Sequence, residues 1–415
     1  VRERRACLKS FFHARSWRLK IHGDERNFML YFLDRPGMMG RSQHATISNL
    51  ERAFVMTSRE IITALLNREI PERMGIFESY WGETIPSWRQ QGYPQDVDPG
   101  DYFNYDLDLV GGSWFNNSLQ VGFEEEIIEE TDEWKVRKDD RGATLKYWKN
   151  KSGTPEHIDF EVTTPEKWKP WKQKLLTLDE RRIDLKTLRH SLQKVRAAGK
   201  FSCFGNLFVF EIMRATLGDI CMLESMLLEP EWIKDFCATY TEHFKIHHDY
   251  MFREAGKPNG VFIYEDLGFS NGLFCSPATL AELVMPYYRE FVGFCHDHGV
   301  PVLFHSCGDI REAVPMIVDA GFDCLQPMEA KAGLNVVELA REFGNKISYM
   351  GNIDVTVLNT NDPGKVRAEV EHKVSALRDM RIPYVFHSDH SIPPDIHFET
   401  YKLAVETFRS IGSYA

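Results

Sequence analysis

No stretch of this chain reaches the roughly 18 consecutive apolar residues that a bilayer-crossing helix needs, so no helical membrane span is expected. Positive charge is not in excess either. The net charge of −11 argues against nucleic acid as the main partner. The eight cysteines (Cys7, Cys203, Cys221, Cys237, Cys275, Cys295, Cys307 and Cys324) form no close-spaced framework, which excludes a small disulfide scaffold. With no secretory leader having an apolar centre, the reducing cytoplasm is the expected location. No repeat of 20–50 residues and no low-complexity tract interrupts the chain. Nor does a Gly-x-Gly-x-x-Gly follow a first strand, so a dinucleotide-binding doubly wound sheet is only the second choice of fold.

What remains is an ordinary globular composition, 43% hydrophobic and 27% charged over 415 residues, enough for one large domain with additions. The first 55 residues stand apart, with 11 Lys and Arg against 5 Asp and Glu, while the remainder carries 39 against 56. This basic segment has only patchy periodicity. We read residues 1–55 as an extension outside the core, consistent with an over-long reading of the gene from a valine codon. A transit peptide fits less well, because such peptides are poorer in acids. At Met56 the character changes. Thr57-Ser58-Arg59-Glu60 can cap a helix that carries Ile61, Ile62, Leu65 and Leu66 on one face.

The stretch with the most chemistry is Val302-Leu303-Phe304-His305-Ser306-Cys307-Gly308-Asp309. A strand-like apolar run ends in His-x-Cys. Side chains alternate along an extended backbone, so the imidazole and the thiol face the same side. Together they suit zinc. Around this stretch, short apolar strands alternate with helical patterns from Phe201 to the end. The expected strands are Met74–Tyr80, Phe201–Val209, Val261–Tyr264, Val302–Phe304, Phe322–Gln326, Ile347–Met350 and Tyr384–Phe386. Gly82–Asn117 reads as loops over a mouth, and Phe123–Arg137 with Ala143–Lys149 reads as an inserted hairpin. Continuous apolar strands with β–α alternation predict a (β/α)8 barrel over residues 56–415. In such a barrel the strand ends share one rim. There stand Glu265 and Asp266, then His305 and Cys307, then Gln326 and Glu329, then Asn352 and Asp354, then His387, Asp389 and His390. Cys324, inside a strand, reads as packing.

The residues carry a resemblance. Ser276-Pro277 with Met285-Pro286-Tyr287-Tyr288, the run His305–Asp309, Gly321-Phe322-Asp323, Gly344-x-x-Ile347-x-x-Met350-Gly351-Asn352-Ile353-Asp354 and Ile392-Pro393-Pro394 resemble the uroporphyrinogen decarboxylase superfamily. The resemblance implies a barrel and one of two chemistries. True decarboxylases carry an arginine-rich Met-Arg-Gln-Ala-Gly-Arg stretch after the first strand. This chain has Phe77-Glu78-Ser79-Tyr80-Trp81-Gly82-Glu83 there, which offers no fork donors to an acidic tetrapyrrole. The other branch comprises zinc methyltransferases that work with cobamides, similar to methylcobamide:coenzyme M methyltransferases. Their zinc is held by a His-x-Cys pair and a distant cysteine. His305 and Cys307 match the pair, and His390 stands where the distant cysteine would be.

The resemblance therefore implies zinc on His305, Cys307 and His390, in an enzyme that moves a methyl group from a small methylated donor, such as a methyl ether, to a corrinoid. Glu265 and Asp266 are expected to act in catalysis, with Glu265 a candidate fourth ligand or proton donor. Asp389 is expected to orient an imidazole. Asn352, Asp354, Gln326, Tyr80 and Trp81, with Trp114, are expected to line the substrate. The chain has no Asp-x-His-x-x-Gly corrinoid motif, so the corrinoid is expected on a partner protein. A homodimer is expected by analogy with related barrels. A tetrapyrrole lyase and a non-catalytic binding barrel are the alternatives. If residues 1–55 are dispensable, a chain beginning at Met56 should melt cooperatively at an unchanged midpoint in thermal circular dichroism. Loss of that transition would overturn the reading.

Overall fold

Short buried strands and intervening helices wind into a parallel sheet of eight strands. The computed structural model describes residues 56–150 and 155–414 in full, together with the backbone of Arg18–Gly23, Asn27–Leu33 and Gln43–Thr46. The chain divides into two compact units, Val1–Met56 and Thr57–Ala415. In the first, the three strands pair antiparallel in chain order. The expectation that residues 1–55 stand outside the core falls on side chains outside the described residues.

In the second unit the barrel strands, numbered around the barrel, are β1 Gly75–Ile76, β2 Leu107–Leu109, β3 Phe201–Leu207, β4 Gly260–Tyr264, β5 Val302–Ser306, β6 Cys324–Pro327, β7 Ser348–Met350 and β8 Tyr384–Phe386. Parallel ladders join β2 through β8 in sequence and then β8 to β1. The seam between β1 and β2 is stitched by Asp106. Its N–H donates to the Ile76 carbonyl at 2.9 Å, and its carboxylate accepts the Ile76 N–H at 2.9 Å and a two-pronged Arg73 pair at 2.7 Å on each prong. Because helices cover the outside and side chains fill the inside, the strands are buried on both faces. This is why they read as continuous apolar runs rather than alternating ones.

Local signals set the helix boundaries. Thr57 and Glu60 form a reciprocal capping box at the start of Ser58–Leu66. Ser276 caps Pro277–Leu283, and Pro286 follows the break before Met285–Asp297. Two expectations need correction. β2 lies inside the stretch read as loops, because three residues among aromatics and glycines carry no period. The inserted hairpin is a four-stranded antiparallel sheet, Glu126–Glu130, Trp134–Lys138, Ala143–Trp148 and Glu156–Phe160. The run read as one strand turns at Thr131, whose carbonyl-bound amide and hydroxyl hold Trp134. Cys324 is buried in β6, as its apolar setting suggested. Among the described residues no helix is long and apolar enough to cross a membrane.

The long helix Pro230–Glu254 buries His243, His247 and His248 around Phe115. Their Nδ1–H groups donate to the carbonyls of Leu175, His243 and Phe244. Burial pushes His247 and His248 down to about 4, and Arg182 opposes charge on His247 while Asp179 favours it. Folded, both rings are neutral at pH 6.5, whereas the unfolded chain takes up protons there. Stability is therefore present above pH 6.5 and falls as the pH drops towards 4, by on the order of 3 kcal/mol for each ring. Urea unfolding measured from pH 7 to pH 4 should show this acid limb, and His248→Phe should make it shallower.

Candidate metal centre

Register places the first neighbours. Tyr264 of β4 pairs with His305 of β5, which pairs with Gln326 of β6, so the three side chains stand side by side on one face. The Tyr264 ring lies 5.1 Å from the His305 ring. Gln326 Oε1 accepts from His305 Nδ1 at 2.5 Å, which fixes the ring and leaves Nε2 facing the rim.

Nε2 meets two anionic groups. Cys307 Sγ is 3.4 Å away and Asp266 Oδ1 is 3.5 Å away. The loop is pinned there because Asp266 also accepts the Cys307 N–H at 3.0 Å. His390 also interacts with the Cys307 thiol, which raises the pKa of the ring and lowers that of the thiol. Despite burial, the thiol is held below its usual range by His305 and His390. Despite its own burial, His305 is held well above its usual range by Cys307 and Asp266. Burial also opposes charge on Asp266, but hydrogen bonding to His305 wins and leaves it at about 2. The acidic groups of Cys307 and Asp266 thus both favour positive charge on His305.

This donor set fits zinc. Asp266, His305 and Cys307 offer one ligand atom each, all within 4.8 Å of one another. Tetrahedral bonds of about 2.3 Å to sulfur and about 2.1 Å to nitrogen or oxygen place the donor atoms roughly 3.4–3.6 Å apart. The observed 3.4 and 3.5 Å match that spacing. Of the ligands expected from the sequence, His305 and Cys307 fall in this group; Asp266, expected in catalysis, takes the third place, and His390 contacts the thiol without belonging to the group.

The other expected residues divide into two groups. Trp81 stacks on His390 at 5.7 Å and 17°, and Trp114, 47% exposed, lies 5.0 Å from Tyr264. These rings wall the mouth. The rest serve the fold. Glu265 is fully buried, and its carboxylate accepts the N–H groups of Phe210 and Glu211 at 3.2 and 2.8 Å, supplying the cap that the helix Val209–Leu217 lacks of its own. Asn352 spends its amide on backbone, donating to Met328 and Leu334 and accepting from Val336. Asp354 caps Val355–Leu358. Asp389 accepts the N–H groups of Ala330 and Val355, so its partners are amides rather than an imidazole. The Tyr80 hydroxyl bonds to that of Tyr105 inside an aromatic cluster with Trp88 and Tyr401.

Two residues outside the expected set matter. Tyr264 was seen only as a strand residue; the signal was its place beside His305 in a parallel register. Glu78 was noticed only as a missing arginine. It is 4% exposed, and an acid two residues past a buried strand was the available clue. Gly308 completes the loop with φ +81°; a Cβ there would lie 2.3 Å from the Gly268 backbone. Two grooves of about 570 and 580 Å³ lie beside Trp171, lined by none of the site's side chains.

Residues 220–411 match the uroporphyrinogen decarboxylase (URO-D) family. A uroporphyrinogen decarboxylase of Pseudomonas fluorescens is 31% identical over 147 residues, 33% of this chain. The match spans only 38% of that protein's length. Among solved structures, a methyltransferase from Methanosarcina mazei superposes with a TM-score of 0.62 at 14% identity, covering 86% of this chain and 99% of its own. At that identity the likeness is one of fold. The resemblance to the superfamily therefore holds, and its motifs from Ser276 to Pro394 lie inside the matched residues.

Gln326→Leu should leave the fold intact and weaken metal binding by about 10- to 100-fold, because the His305 ring loses its anchor. Competition with a chromogenic chelator measures the change.

Proposed function

We propose that this protein is a zinc-dependent methyltransferase that removes a methyl group from a small methylated donor, such as a methyl ether, and passes it to a corrinoid carried by a partner protein. The observation that supports this most is the cluster of Asp266, His305 and Cys307, whose donor atoms all lie within 4.8 Å of one another. His305, Cys307 and His390 would hold the metal, with Asp266 at its edge. One thiolate with two imidazoles would leave zinc a single formal positive charge, which the Asp266 carboxylate would cancel only by binding the metal as well. Zinc so held supplies Lewis acidity to the heteroatom that bears the methyl group.

The chain's own residues do the rest. Gln326 keeps the His305 ring in one tautomer and orientation. Trp81, Trp114 and Tyr264 offer flat apolar walls that would hold a methoxylated ring and keep water from it. The corrinoid, when delivered at the mouth, supplies the nucleophile that accepts the methyl group. The stretch Phe77–Glu83 contributes a buried acid and aromatics, not the cations that a multiply charged tetrapyrrole would require.

Elemental analysis of purified protein should find about one zinc per chain, lost in Cys307→Ala and in His390→Ala. Methyl transfer from anisoles to a reduced corrinoid protein then tests the reaction. Zinc-free wild-type protein that turns over a porphyrinogen would replace this reading with the lyase.

A further inference from the structure

Below the metal ligands, the ends of β1 and β8 bring together a second set of polar groups. Glu78 follows β1 and His387 follows β8, and both side chains are shut off from solvent. Glu78 Oε1 lies 3.3 Å from His387 Nε2. His387 Nδ1–H donates to the Ser388 carbonyl at 2.5 Å, so Nε2 carries the ring's lone pair. That lone pair faces donors only. Besides Glu78 they are the Ser79 hydroxyl at 3.4 Å and the Gln326 amide at 3.5 Å. Ser79 Oγ continues to Ser391 Oγ at 3.2 Å, and Ser391 is half-exposed in the loop that carries His390.

The pair is not an ion pair. Glu78 accepts from the Ser79 and Ser388 N–H groups and from the Ser388 hydroxyl, and bonds to Tyr401. None of these partners is charged. Burial therefore wins over the hydrogen bonds and pushes the carboxyl up to about 8. Burial likewise pushes His387 down to about 4. At neutral pH a carboxylic acid donates to a neutral imidazole. The titratable groups that face Glu78 are His387, the tyrosines Tyr80, Tyr105 and Tyr401, and Tyr384 of β8. Burial holds all four tyrosines above their usual range, so none of them ionises alongside it.

We propose that Glu78 is the proton store of this site, delivering its proton through His387 Nε2 and the hydroxyls of Ser79 and Ser391 to the heteroatom that loses the methyl group. The proposal rests on the methyl-transfer reading and adds the fate of the leaving group. The bond between heteroatom and methyl carbon breaks, and its electron pair stays on the heteroatom. The methyl group goes to the corrinoid nucleophile. The heteroatom takes the Ser391 proton, Ser391 takes that of Ser79, and Ser79 takes the proton that the lone pair of His387 Nε2 has received from Glu78. A neutral alcohol or phenol departs and Glu78 is left as a carboxylate, which regains its proton from water by the same path in reverse. Glu78 touches no substrate and acts as a positioning and relay residue.

Infrared spectroscopy tests the relay without turnover. Wild-type protein at pH 7 should show a protonated carboxyl band that is absent in Glu78→Gln and fades as the pH passes about 8. On transfer to heavy water, exchange of that band should slow about tenfold or more in Ser79→Ala, a variant that removes only one hydroxyl. A Glu78 ionised at pH 7, or exchange indifferent to Ser79→Ala, overturns the proposal whatever the protein's reaction. Zinc content, measured in the same samples, tests the methyl-transfer reading separately. In turnover, Glu78→Gln should slow 4-methoxyphenol by about 100-fold and 4-nitroanisole by much less, because the nitrophenolate leaves without a proton. Equal slowing of both would also overturn it.

Discussion

The site depends on closing the barrel where its shortest strand, β1, meets β2. β1 and β2 share no ladder among the described residues, and Asp106 does the joining with both its backbone and its carboxylate. The carboxylate is fully buried, and Arg73 answers it with two bonds of 2.7 Å. A buried carboxylate without that partner would carry its desolvation cost alone. If this seam opened, β1 would be held to the barrel by its short ladder with β8 alone. Glu78, Ser79 and Trp81 follow β1, and His387 and His390 follow β8. The Asp106–Arg73 salt bridge therefore braces, from its other edge, the strand that carries the first group.

Two electrostatic regimes sit one above the other on this rim. Around Cys307, anionic and cationic groups alternate, each holding its neighbour charged despite burial. Around Glu78, no charged partner is supplied, and the same degree of burial drives acid and base to their neutral forms. The Gln326 amide joins the two, with its oxygen on His305 and its nitrogen towards His387. An amide suits that place because it offers one acceptor and two donors without adding charge.

Much of this was legible in the sequence. A barrel of parallel strands writes its core as uninterrupted apolar runs, and seven of the eight strands, all but β2, were visible in the sequence. The metal residues could be found because His-x-Cys and the His387–His390 stretch each follow such a run. β2 was invisible because Leu107-Asp108-Leu109 has a charge at its centre and stands among acids, glycines and aromatics rather than in an apolar run. Asn352, Asp354, Glu265 and Asp389 were read as site residues because they lie at strand ends, where polar groups have two employments. Loops that leave a parallel sheet expose backbone amides, and a buried side chain that satisfies them looks, in sequence, like one that touches a substrate. The relay was hidden for the opposite reason. Glu78 and His387 are 309 positions apart and meet only through the pairing of β1 with β8.

Gly308 carries a consequence of its own. The residue after Cys307 lies against the backbone of the turn beyond β4, and the Asp309 N–H donates to the Phe269 carbonyl across that contact at 2.8 Å. No side chain fits there, and the backbone conformation itself disfavours one. A lineage of such proteins has no gradual route away from glycine at this point. Side chains elsewhere on the rim can be exchanged for others, but the close backbone contact beside Cys307 leaves selection a single choice of residue.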